Sequence, residues 1–255
     1  MKKNKMMRVA SALLVAVLLT TCAISGTFAK YVTTVSGSDS ARVATWNIGY
    51  NFAQISTFNK TYDSTVDSAE QVVAPGTSDF GTYILTGAPE TDYKVTFNFT
   101  TQKEVFLGAH NYDYENEAYT GMDLNLASNY IPLTWKVTLT TPVDDADITA
   151  IGSGSCLSKG DGNTFATMSA MAAAINNTQI SYDANEAAEL TIKIEWSWAI
   201  GGDDKADTIL GYLANDVDAT NGMLKVDDPD QTLVADTDFC TNVGYTFSMT
   251  AEQVD

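Results

Sequence analysis

Residues 93–100 read Tyr93-Lys94-Val95-Thr96-Phe97-Asn98-Phe99-Thr100, with every odd position apolar or aromatic and every even position polar. Side chains of an extended chain point alternately to the two faces of a sheet, so a period of two sets one face on a core and the other in water. The same alternation recurs at Leu133-Thr134-Trp135-Lys136-Val137-Thr138-Leu139, along 190–198 (LTIKIEWSW) and along 245–251 (YTFSMTA). Such strands, rich in β-branched and aromatic residues, require a shared core. The core residues expected from the pattern are Phe97, Trp135, Ile194, Trp196 and Phe247. Weaker strand patterns lie near 31–35, 42–50, 69–74, 79–87, 104–108, 208–214 and 231–235. Short strands separated by Gly, Asp, Asn and Pro clusters predict an all-β fold, an antiparallel jelly-roll β-sandwich. One run breaks the period. TFATMSAMAAAI at 164–175 places Phe165, Met168, Ala172 and Ile175 on one helical face, with Asp161, Asn163 or Thr164 as cap, and predicts a short helix lidding the sandwich. Acidic loops are expected at 110–118, 201–207 and 226–231.

Upstream of the strands the chain has the form of a secretory leader. Lys2, Lys3, Lys5 and Arg8 precede an apolar stretch from Val9 to Ile24, and Thr27-Phe28-Ala29 forms a small-x-small cleavage site. The stretch is short for a membrane-spanning helix and polar residues follow at once. Cleavage after Ala29 predicts a signal peptide at 1–29, an N-terminal arm at 30–49 and one β-domain at 50–255. The product is expected to be secreted, with no stable membrane anchor, because no second apolar span or sorting tail follows. Removing the four basic leader residues from the 14 Lys+Arg of the whole chain leaves 10 against 32 Asp+Glu, a formal net charge of −22. Such a polyanion is repelled by nucleic acid and by anionic lipid. It also makes any self-association sensitive to acid, salt or cations.

Chemistry-bearing residues are sparse. His110, in GAHNYDYEN, is the sole histidine, so no HExxH zinc site, serine–histidine triad or cysteine–histidine pair can form. No enzymatic activity and no cofactor are expected. Calcium is a weak option at the oxygen-rich Asp161-Gly162-Asn163 and Asp227 to Asp230, which lack the full spacing of a known calcium loop. Asp203-Asp204 and Asp227-Asp228 read as solvated loop charges. Cys22 leaves with the leader. Cys156 and Cys240 form an even pair that allows one disulfide in an exported protein, with two separate buried thiols as the alternative.

The leader ending GTFA and the following KYVTTVSGSDSARVATWNI resemble the N-terminus of exported proteins of the TasA and camelysin family, matured by a dedicated SipW-type signal peptidase of Gram-positive bacteria. VVAPGTSDFGTYILTG at 72–87, TDYKVTF at 91–97, YIPLTWKV at 130–137, IEWSWAIGGDDKADTILG at 194–211 and the closing YTFSMTAEQVD are similar to the family's successive blocks. The resemblance implies a secreted jelly-roll subunit of extracellular biofilm matrix fibres at the cell surface. The freed N-terminal segment of each subunit fills a strand groove in its neighbour, giving a head-to-tail homopolymer. Carried onto this chain, the donor runs from about Lys30 to Gly49. Tyr31, Val32 and Val35 open it, Ser36-Gly37-Ser38 is a hinge, and Val43 with the alternating Ala44, Trp46 and Ile48 closes it. The alternative is that 42–50 is simply the first strand of the sandwich and 30–41 a frayed arm. Partners implied are the chain itself, the signal peptidase, and other matrix proteins or polysaccharide. Two rival readings are a camelysin-like secreted metallopeptidase, for which no zinc site is recognisable, and a monomeric module binding polysaccharide through Tyr112, Tyr114 and Tyr119.

Overall fold

Each of the four alternating segments forms a strand, at Tyr93–Lys103, Leu133–Thr140, Leu190–Trp198 and Gly244–Gln253. The computed structural model describes residues 11–15, 44–54, 57–58, 72–114, 124–215, 224–226 and 238–254. The chain divides into residues 1–44 and 45–255. In the first unit a helical segment spans 11–15. The second is an antiparallel all-β sandwich. In chain order its strands are β1 (Ile48–Gln54), β2 (Ser78–Gly87), β3 (Tyr93–Lys103), β4 (Phe106–Leu107), β5 (Asn111–Tyr114), β6 (Leu124–Asn125) and β7 (Leu133–Thr140). There follow β8 (Ile148–Ala150), β9 (Gly160–Phe165), β10 (Thr178–Tyr182), β11 (Leu190–Trp198), β12 (Leu224–Val226), β13 (Phe239–Cys240) and β14 (Gly244–Gln253).

One sheet has the order β1-β2-β11-β7-β9, the facing sheet the order β14-β3-β10-β8. Two small sheets, β12-β5-β6 and β13-β4, complete the described strands. The core is built by inward rows of aromatic and branched residues. Leu85, Val95, Val137, Leu139, Ile192 and Ile194 are all fully buried. Ring contacts join the sheets: Tyr83 lies 4.5 Å from Phe247, and Trp135 meets Tyr245 edge-on at 6.4 Å. Of the five expected core residues, Phe97, Trp135, Ile194 and Trp196 are buried. Phe247 is only half-buried, because β14 is the edge strand of its sheet.

The helix α1 spans Met168–Asn176 and buries Met168, Met171, Ala172, Ala174 and Ile175. Its cap is Thr167, whose side chain accepts the Ala170 N–H at 3.0 Å, and Glu104 Oε1 accepts the Met168 N–H. Two donors left over by the first helical turn are thereby satisfied. Phe165, expected on the helix, lies in β9. A second helix, α2 (Asp204–Asn215), occupies residues expected as an acidic loop and a strand. Asp203 Oδ1 accepts the N–H groups of Lys205 and Ala206, each at 3.1 Å, and Ala206, Ile209, Leu210 and Leu213 are buried at helical spacing. Residues 111–114 of the first acidic loop form β5. Of the weaker patterns, 79–87 is β2, 104–108 holds only the two residues of β4, and 72–74 is irregular. The patterns at 31–35 and 231–235 lie outside the described residues.

Candidate assembly site

The edge strand β1 pairs antiparallel with β2, setting Tyr50 opposite Leu85 and Ile48 opposite Gly87. Residues directly opposed across a ladder share a face, so Tyr50 points the same way as Leu85, which is fully buried. Tyr50 nonetheless remains 49% exposed. The facing sheet explains why. Its last strand, β14, lies over β2 through the Tyr83–Phe247 contact, and among the described residues no strand pairs beyond it. Among the described residues, the inward face of β1 therefore looks onto a position with no covering strand. On β14 itself Tyr245, Phe247 and Ala251 of the inward row are half-buried, while Met249 between the last two is buried. An apolar seam between two sheet edges results, bordered by Ile48, Tyr50, Phe247 and Ala251.

At one end the sandwich is plugged by Thr57 and Phe58. The Phe58 ring sits 5.6 Å from Trp196 and 6.1 Å from Tyr245, the Trp196 indole donates to Thr57 O at 2.6 Å, and the Thr57 hydroxyl bonds the Tyr245 phenol. Tyr83 and Tyr245 hydroxyls lie 3.0 Å apart. Burial pushes the Tyr245 phenol above its ordinary pKa, and the adjacent Tyr83 raises it further.

The expected donor residues divide between the two units. Tyr31, Val32, Val35 and Val43 lie outside the described residues, and Ala44 is exposed. Trp46 and Ile48, by contrast, are held by their own chain. Trp46 meets Tyr93 edge-on at 6.2 Å, Ile48 opens β1, and Thr45 exchanges bonds with Glu90: its N–H donates to Oε2 at 2.9 Å and its carbonyl accepts the Glu90 N–H at 3.1 Å. Gly87 admits this docking, because a Cβ built on it would fall 1.8 Å from Asn47 O. The boundary between arm and body accordingly falls at Ala44/Thr45, five residues earlier than expected, and 45–49 belongs to the sandwich.

Other expected sites resolve as follows. Cys156 and Cys240 are free thiols, not a disulfide; the Cys240 thiol donates to Asn242 O at 3.4 Å. His110 is half-buried between β4 and β5, its Nε2 at 3.3 Å from Asp238 Oδ1. Tyr112 is 1% exposed and its hydroxyl donates to Gly108 O at 2.9 Å, which removes it from any loop surface for polysaccharide. The Tyr114 backbone sits in β5 and Tyr119 is outside the described residues. Asp161-Gly162-Asn163 lies in β9. Asn163 turns inward, its Nδ2 donating to Val137 O at 3.1 Å and its Oδ1 accepting the Ser158 N–H at 2.8 Å, so its side chain is spent on structure. Asp227 to Asp230 lie outside the described residues. Among the described residues no three His, Cys, Asp or Glu side chains converge on a metal position, and no helix is long and apolar enough to cross a membrane.

Sequence reasoning missed a half-buried polar cluster joining the tryptophan block to α2. Asp207 Oδ1 accepts the Tyr130 hydroxyl at 2.7 Å and the Trp198 indole N–H at 3.1 Å. Burial lifts the Asp207 carboxyl above the ordinary carboxylate range; the two hydrogen bonds oppose the lift, and Asp204 and Asp203 reinforce it. The signal was present as Trp198 and Asp207 nine residues apart.

Fold and site together define an antiparallel β-sandwich in which, among the described residues, an apolar seam lies between two sheet edges. Neither protein-family models nor the curated proteins give a match to this chain.

Proposed function

We propose that the protein is a secreted structural subunit of extracellular matrix fibres, assembled head-to-tail by an extended N-terminal segment of one subunit filling the seam of the next. The observation that carries this reading is Tyr50, exposed on the inward face of β1 opposite the fully buried Leu85. A strand added beside β14 would complete the ladder of that sheet and cover Tyr50, Phe247 and Ala251 together, which is the main-chain logic of β-augmentation. The donor is residues 30–44, with Tyr31, Val32, Val35, Val43 and Ala44 as its apolar side chains; Trp46 and Ile48 tether it to its own subunit. The jelly-roll wiring implied by the resemblance to the TasA and camelysin family belongs to this reading, as do maturation by a signal peptidase and a place at the cell surface or in the matrix. A donor meeting a groove on another copy is a heterologous contact that does not close on itself and so propagates.

The test is electron microscopy and light scattering of protein beginning at Lys30, alongside protein beginning at Thr45. Filaments from the first and none from the second are expected. Equal polymerisation of both would show that 30–44 is not the donor.

A further inference from the structure

A groove of about 710 Å³ crosses the outer, solvent face of the five-stranded sheet. The register defines it. Phe80, Glu195, Lys136 and Thr164 stand in one row across β2, β11, β7 and β9, and Ser78, Ser197 and Thr134 stand in the next outward row. Between them runs the intervening row, whose tryptophans Trp196 and Trp135 turn inward and are each 1% exposed, so the floor is backbone. Rows two residues apart are separated by about 7 Å, and four strands span about 14 Å. The trough therefore fits a narrow chain lying across the strands.

The chain as a whole carries −18, yet the charged side chains of the outward rows are paired: Lys193 Nζ is 2.7 Å from Glu195 Oε1 and Lys136 Nζ is 3.3 Å from Asp161 Oδ2, and Asp79, in the intervening row, adds one carboxylate to the lining. Hydroxyls supply the remaining polar groups of the outward rows, with Thr134 Oγ1 and Ser197 Oγ 2.8 Å apart. One wall is aromatic. Phe80 is 37% exposed and is steadied by the Lys193 ammonium 4.2 Å from its ring centroid. A volume within the usual range for ligand sites, lined by paired charges, hydroxyls and one exposed ring, matches a ligand that is uncharged, rich in hydroxyls and apolar on its ring faces.

We propose that this groove binds a neutral oligosaccharide, its ring face on Phe80 and its hydroxyls on Glu195, Lys136 and Ser197. An anionic glycan is disfavoured, since the field of so acidic a chain opposes its approach. The site is on the opposite face of the sheet from the seam, so its occupation does not depend on the fibre reading.

The experiment is calorimetric titration of protein beginning at Lys30 with cellopentaose and maltopentaose as neutral probes and a galacturonate pentamer as the anionic one. Binding of at least one neutral probe and none of the anionic one is expected. Phe80→Ala should weaken that binding by about tenfold, equivalent to about 1.4 kcal/mol, and Ser197→Arg, which fills the trough from its other bank, should abolish it. Thr191→Ala, on the same face but outside the trough, should leave it unchanged. Failure of both neutral probes, preference for the galacturonate, or neutral binding indifferent to both groove substitutions would each overturn the proposal. Because Phe80 and Ser197 are solvent-facing, an unchanged melting temperature in each variant separates loss of binding from loss of fold.

Discussion

Trp196 is 1% exposed, packs against Phe58 and donates its indole N–H to Thr57 O. Truncation removes core volume, a ring contact and a hydrogen bond together, so Trp196→Ala should destabilise the sandwich by about 3–5 kcal/mol in denaturant titration; a variant that melts like the parent would contradict this placement. Asp207 makes a different kind of statement. Its folded pKa is raised above the unfolded value of about 3.9, so the folded state holds this proton more tightly. The group's contribution to stability is full below the unfolded pKa and declines as pH rises through the folded one. Asp207→Asn keeps an oxygen for Tyr130 and Trp198 but removes the titration. Stability measured at a series of pH values should show the parent losing ground to the variant as pH rises through that window, then a constant offset. A difference that never changes with pH would refute the assignment.

At the scale of elements, one side chain of α1 stands in for a strand against β3. Asn176 Oδ1 accepts the Phe99 N–H at 2.6 Å and its Nδ2 donates to Phe99 O at 2.9 Å, as a neighbouring strand would. β10 pairs with β3 only between Tyr93 and Thr96, so the helix takes over where that ladder stops. Asn176→Ala leaves both backbone groups without this partner and should cost about 1–3 kcal/mol for each that water cannot reach; hydrogen exchange at the Phe99 amide should accelerate well beyond that of Val95. What was legible in sequence at this scale follows from burial. β3, β7, β11 and β14 are long enough for period two to stand out, and the Met- and Ala-rich run of α1 could form nothing else. β10 alternates too, as Thr178, Ile180 and Tyr182 buried between half-buried neighbours, but five residues with three polar ones gave no contrast. α2 was obscured because Asp203, Asp204 and Asp207 look like loop charge, although Asp203 caps the helix and Asp207, half-buried within it, accepts from Tyr130 and Trp198. The seam was illegible because exposure of Tyr50 depends on what the other sheet lacks.

For the whole molecule, charge would gate the head-to-tail assembly proposed above. Protein beginning at Lys30 carries a formal −22, from 32 Asp+Glu against the 10 Lys+Arg that remain when Lys2, Lys3, Lys5 and Arg8 are absent. The reach of that repulsion falls from about 30 Å at 0.01 M salt to about 8 Å at physiological ionic strength, and protonation towards the sequence pI of about 4.1 weakens it at source. Filament formation by protein beginning at Lys30 should thus rise with added salt and with falling pH, read as light scattering, while protein beginning at Thr45 stays flat across both; a rate indifferent to ionic strength would rule charge out as the gate. The tryptophans give the molecule its own optical readout of this event. Trp135, Trp196 and Trp198 are buried, whereas Trp46 is half-buried against Tyr93 immediately after the proposed donor. The long-wavelength edge of the emission spectrum therefore belongs to Trp46, and a blue shift confined to that edge, lost in Trp46→Phe, would report the arm of one subunit settling into the next without any label attached.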